Sequence, residues 1–312
     1  MKQIELFGPR ESSHRRTWTA AAIVLILVFF ALGLLATIFG VLIPMGFHQE
    51  DLESQWLPLA IQLAGFSFIA LPLLAWVWLF ERRKPNTLGL NGQFVGRYAR
   101  GLLTGAAFLF SVIALIWLAG GYRIEGPGVW TAPSPILFVP ILALLGGFLI
   151  QGGTEELLMR GWLMQLVASR HGLVLAIVIN SIMFSVMHAG NITPSMELGL
   201  ALVNLVLFAV MTSLYAIKEG SIWGVCAWHS IWNWLLGVGF GLEVSGARLA
   251  VQSLVVDLAP KTDAPWWLTG GTFGPEASVA TTVVLLAGCI YYGATGAFRI
   301  ARARSEAFES KA

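Results

Sequence analysis

The stretch LGGFLIQGGTEELLMRGWLMQ, residues 145–165, sets two adjacent carboxylates, Glu155 and Glu156, and one guanidinium, Arg160, inside a run that is otherwise apolar. Removing an ion from water costs several kcal/mol unless a partner offsets it. Where such a run lies therefore decides the fold. The chain has 312 residues, of which 57% are hydrophobic and only 12% charged, and its mean hydropathy is +0.76. A soluble domain carries about 25% charged residues. The composition thus implies an integral membrane protein, and the two acids are expected at membrane depth.

A helical span needs roughly 20 apolar residues. Eight runs qualify: about 18–43, 57–80, 100–119, 135–155, 172–188, 198–216, 221–240 and 278–298. The fold class expected is all-α, a polytopic membrane helical bundle of about eight transmembrane helices. The first run is too long for the apolar core of a signal peptide and is expected to be the first span. The fourth continues at helical spacing to about Ser169, with Gly152-Gly153 as a place to bend.

Loop charge sets the expected orientation. Of the 19 basic residues, all but Arg123, Arg248 and Lys261 fall on one side of an eight-span arrangement, Lys2, Arg10 and Lys311 among them. Both termini are expected in the cytoplasm. The chain divides into a cytoplasmic tail (1–16), N-terminal membrane helices (17–134), a core (135–240), an outer interfacial loop (241–277), and a last membrane helix with its tail (278–312). The two charged tails are expected to be mobile. Within the outer loop, the amphipathic ARLAVQSLVVDLA (247–259) and Trp266-Trp267 suit a headgroup-level anchor. The net charge of +2 says little about partners; no nucleic-acid partner is expected, and the expected surroundings are the lipid bilayer. Two cysteines, Cys226 and Cys289, make neither a disulfide framework nor a cysteine-based zinc site.

Ionisable groups inside spans are rare and usually functional. Here they are Glu155, Glu156, Arg160, His188 and His229, with the Asn233 amide one turn beyond His229. Glu156 and Arg160 are spaced i, i+4 and can pair on one helix face. Glu155 points about 100° away, so the two acids are not expected to face the same partner. HSIWN (229–233) puts an imidazole and an amide on one face, and FSVMH (184–188) sets an aromatic ring beside His188. Counting about 1.5 Å per helical residue from the loop ends, these groups reach similar depths on three helices, within what helix tilt allows. A lone membrane histidine is usually an interhelical hydrogen bonder, and the Glu156–Arg160 pair could be purely structural. Their alignment together points to a polar site.

In this order, EELLMR (155–160), FSVMH and HSIWN fit EExxxR, FxxxH and HxxxN, and over residues 135–240 they resemble the CPBP family of intramembrane proteases. That family includes the type II CAAX prenyl endopeptidases and bacteriocin-processing and immunity proteins. The resemblance implies peptide-bond hydrolysis within the membrane. Glu155 corresponds to the base that activates water, and His188 to a histidine that helps hold that water. His229 and Asn233 supply the third motif, whose amide stabilises the oxyanion, and Glu156 and Arg160 fill supporting positions. It also implies a membrane protein or prenylated peptide as substrate. No cofactor is favoured. HExxH is absent, but zinc held by Glu155, Glu156, His188 and His229 is the alternative. The residues leave two other readings open: a transporter or proton relay, and a non-catalytic scaffold or immunity protein.

Overall fold

The computed structural model describes residues 4–9 and 11–310, so Lys2, Arg10 and Lys311 lie outside it. Helix α1 (Thr19–Thr37) runs through a π-helical turn to Leu42. Short α2 (Asp51–Ser54) leads to α3 (Trp56–Ala64) and α4 (Ser67–Ala75). Then come α5 (Phe94–Leu118), strand β1 (Tyr122–Pro127) and α6 (Pro135–Glu156). A π-helical segment, Leu157–Met164, joins α6 to α7 (Gln165–His171). Next are α8 (Leu173–Val186), α9 (Met196–Glu219), α10 (Trp223–Trp234) and strand β2 (Val256–Pro260). The chain ends with α11 (Trp266–Thr269), α12 (Val279–Ala294) and α13 (Ala297–Glu309).

The expected all-α class holds, and the protein is an integral membrane protein. Among the described residues five stretches are long and apolar enough to cross a bilayer: Thr19–Leu42, Trp56–Phe80, Phe94–Leu118, Pro135–His171 and Met196–Glu219. The α12–α13 pair, bent by 44°, makes a sixth if taken as one span. The remaining two expected spans are helical but shorter. Helix α8 has 14 residues, about 21 Å, and ends where the chain turns to present His188. Helix α10 has 12, and nine of them are buried in the bundle. Neighbouring helices therefore cover its backbone and apolar surface, and it need not match the bilayer thickness.

Three local expectations change. Helix α6 runs unbroken through Gly152-Gly153. Gly152 serves close approach instead: a Cβ there would sit 2.8 Å from Ser230 Oγ of α10. Small residues let membrane helices approach in this way, and the irregularity falls at the π-helical segment that carries Arg160. Parts of the described tails are packed, while much of the rest is exposed. Ile4, Leu6 and Phe7 are buried, Ile4 N–H donates to Ala168 O, and Glu5 N–H donates to Ser305 Oγ on α13. Apolar side chains in the first residues find a covered site, which the charged composition of the tail obscured. Finally, the last four residues of the amphipathic piece 247–259 are strand. β2 pairs antiparallel with β1, Tyr122 opposite Pro260 and Ile124 opposite Leu258, which ties the loop 241–277 to the end of α5.

Candidate active site

Helices α6, α8 and α10 bring the predicted groups to one cavity of about 510 Å³, lined by Glu155, His188, His229 and Asn233 together. Its other wall is apolar, with Phe30, Leu63, Phe66 and Phe148.

The i, i+4 pair forms as the spacing requires. Arg160 Nη1 donates to Glu156 Oε1 at 3.0 Å, and both side chains are fully buried. The guanidinium carbon also lies 4.6 Å from the Phe184 ring centroid and 5.5 Å from that of Phe208. A cation desolvated this far is stabilised by ring quadrupoles as well as by its carboxylate.

Both acids nevertheless reach one partner. His229 Nδ1 is 3.0 Å from Glu156 Oε1, while its Nε2 is 3.8 Å from Glu155 Oε2. The imidazole presents its nitrogens on opposite edges, so carboxylates on diverging directions of α6 bracket it. A carboxylate paired with arginine accepts, so the Nδ1 proton belongs on the Glu156 side and Nε2 faces Glu155. At His188, Nδ1 lies 2.8 Å from the Phe184 carbonyl. A carbonyl only accepts, so Nδ1 carries the proton and Nε2 is left for other partners.

Glu155 differs from its neighbour. Gln151 Nε2 donates to its Oε1 at 2.7 Å. Its buried Oε2, like that of Glu156, finds no hydrogen-bond donor among the described residues, but of the two acids Glu155 is the one that lines the cavity. Asn233 Nδ2 donates to Gln151 Oε1 at 3.1 Å, so Gln151 links the amide of α10 to the acid of α6. Sequence reasoning missed Gln151, although its i, i−4 spacing from Glu155 was available.

Residues 136–235 match the family described as type II CAAX prenyl endopeptidase Rce1-like. Over this stretch the membrane core is similar to the CAAX proteases. The match covers about a third of the chain and contains all three motifs. No curated protein matches the chain.

Outside the stretch matched to the CAAX proteases, the loop 241–277 supplies a second missed residue. Glu276, in the turn Pro275–Ala277, lines the same cavity. Trp232 Nε1–H donates to its Oε1 at 3.2 Å, and Ser245 donates both N–H and Oγ–H to its Oε2. Ser245 has φ 50°, a left-handed conformation that a non-glycine residue adopts at a cost. The carboxylate thus holds a strained turn in the cavity wall. Burial pushes the Glu276 carboxyl above the usual range, and the Ser245 hydrogen bonds oppose that shift. Nothing in the local sequence marks this acid, because its partners lie on distant segments.

Zinc needs three or four donors at roughly 2.0–2.3 Å. Among the described residues no three His, Cys, Asp or Glu side chains converge on such a point. His229 Nδ1 is engaged by Glu156, which is itself engaged by Arg160. The side chains as arranged do not fit a zinc centre.

Proposed function

We propose that the chain is a CAAX-type intramembrane endopeptidase in which Glu155 activates the attacking water without a metal. The carrying observation is the contrast between neighbouring acids. Each has one oxygen without a hydrogen-bond donor, but Glu156 is neutralised by Arg160, tied to His229 and absent from the cavity lining, whereas Glu155 has no arginine partner and lines the cavity.

Glu155 Oε2 takes a proton from water, which His188 Nε2 helps hold as acceptor. The hydroxide adds to the peptide carbonyl. The resulting oxyanion accepts a hydrogen bond from the Asn233 N–H that does not serve Gln151. Glu155 then passes its proton to the departing nitrogen, which closes the proton balance. Gln151, whose amide donates to Oε1, orients Glu155, while Glu156 holds His229 beside it. The apolar wall suits a lipid-modified or membrane-embedded peptide. The loop charges support a topology with both termini in the cytoplasm and the β1–β2 ribbon on the opposite face of the cell membrane.

The test is cleavage of a prenylated CAAX reporter by purified protein. Glu155→Gln keeps the shape and removes the base, so cleavage should be lost while the unfolding temperature is kept. A wild-type rate in that variant would refute the assignment. Chelator should leave the wild-type rate unchanged; loss restored by zinc would reassign the same side chains to a metal site.

A further inference from the structure

A second cavity, of about 830 Å³, lies between α5, α9 and α12 and shares no lining residue with the first. Its chemistry is graded along the helices. One end carries Arg100 near the start of α5 and Lys218 near the end of α9. The other end is walled by Phe108, Val283, Val284 and Ala287. From Arg100 to Ser111, both in the wall, α5 rises about 16 Å at about 1.5 Å per residue. That is close to one leaflet, half of a hydrocarbon core of about 30 Å.

The cations are presented outward, and the one acid among them is turned in. Arg100 is 62% exposed and touches Glu219 at 3.2 Å, while the Glu219 side chain is only 3% exposed. The other Glu219 oxygen accepts from Gly224 N–H. Lys218 Nζ donates to Thr295 Oγ1 at 2.8 Å and sits 4.8 Å from the Tyr291 ring centroid. An ammonium has three donors, so further donors remain for an anion.

We propose that this groove binds one anionic phospholipid, with its phosphate between Arg100 and Lys218 and one acyl chain along Phe108 and Val283. A polar end with two cations above a leaflet-deep apolar slot matches that ligand in charge and length. Basic pockets between membrane helices bind anionic headgroups for the same reason. The lipid fills the space beside α5, the helix that α10 packs against, so its binding should raise the unfolding temperature.

The experiment is native mass spectrometry of the full chain in detergent, titrated with phosphatidylglycerol or phosphatidylcholine of identical chains, with thermal unfolding in parallel. Two cations near a phosphate should favour phosphatidylglycerol by roughly 30-fold, and only that lipid should raise the unfolding temperature. In the double variant Arg100→Gln with Lys218→Gln the preference should vanish; Gln at 100 can still donate to Glu219. Ala287→Phe, at an exposed position, should fill the slot and weaken both lipids. Equal affinity in the wild type, a preference that survives the double variant, or phosphatidylglycerol binding untouched by Ala287→Phe would each overturn the proposal.

Discussion

His229 Nδ1 lies 3.0 Å from Glu156 Oε1, an oxygen that Arg160 Nη1 approaches at the same distance. The carboxylate therefore joins a buried guanidinium to the imidazole that faces Glu155. The pair is part of the site as well as a means of lowering the cost of burial.

Replacing Arg160 tests that link. Arg160→Ala leaves Glu156 buried and unpaired, a change that typically costs about 3–5 kcal/mol. Equilibrium unfolding in detergent should show a loss of this size together with reduced cleavage. A variant as stable as the wild type would mean that Glu156 is not held as a charge.

Asn233 and Gln151 should separate by magnitude. Removing one oxyanion donor commonly lowers kcat by about 10²–10³, so Asn233→Ala should fall in that range with little change in KM. Gln151→Ala removes only the group that orients Glu155 and Asn233, and its loss should be smaller. A larger effect at Gln151 than at Asn233 would reverse their roles.

Glu276 predicts a pH dependence. Its carboxyl is raised in the folded protein, chiefly by burial, so the folded state binds more protons than the unfolded one above the usual glutamate value of about 4.3. Stability then falls as pH rises through the interval between the two values. Glu276→Gln removes this titration and should flatten the curve of unfolding temperature against pH over that interval. An unchanged slope in the variant would show that the fall comes from other groups.

Topology is tested at Pro260, the exposed end of β2. Pro260→Cys should react with a membrane-impermeant thiol reagent added outside intact cells. Protection there, with reaction only from the cytoplasmic side, would invert the proposed orientation.

Composition and helical periodicity suffice for the membrane class, the all-α fold and the i, i+4 pairs. These follow from hydrophobic transfer and from 3.6 residues per turn, which act within one segment. That explains why Glu156 with Arg160 and Phe184 with His188 were legible in the sequence, and why the three motifs could be assigned to one site by depth. The convergence of both glutamates on His229 was not legible. That contact joins residues 73 apart in sequence, and it depends on how α6 and α10 rotate about their axes once Gly152 admits Ser230. Helix rotation is set by packing between elements, which spacing within a motif does not encode. The same limit hid Glu276, whose partners Trp232 and Ser245 lie 44 and 31 residues away. It also hid the β1–β2 ribbon, since each strand is short and gains its hydrogen bonds only from the other. Sequence determined which side chains enter the membrane; tertiary packing decided which of them are paired, like Glu156 with Arg160, and which, like Glu155, line the cavity.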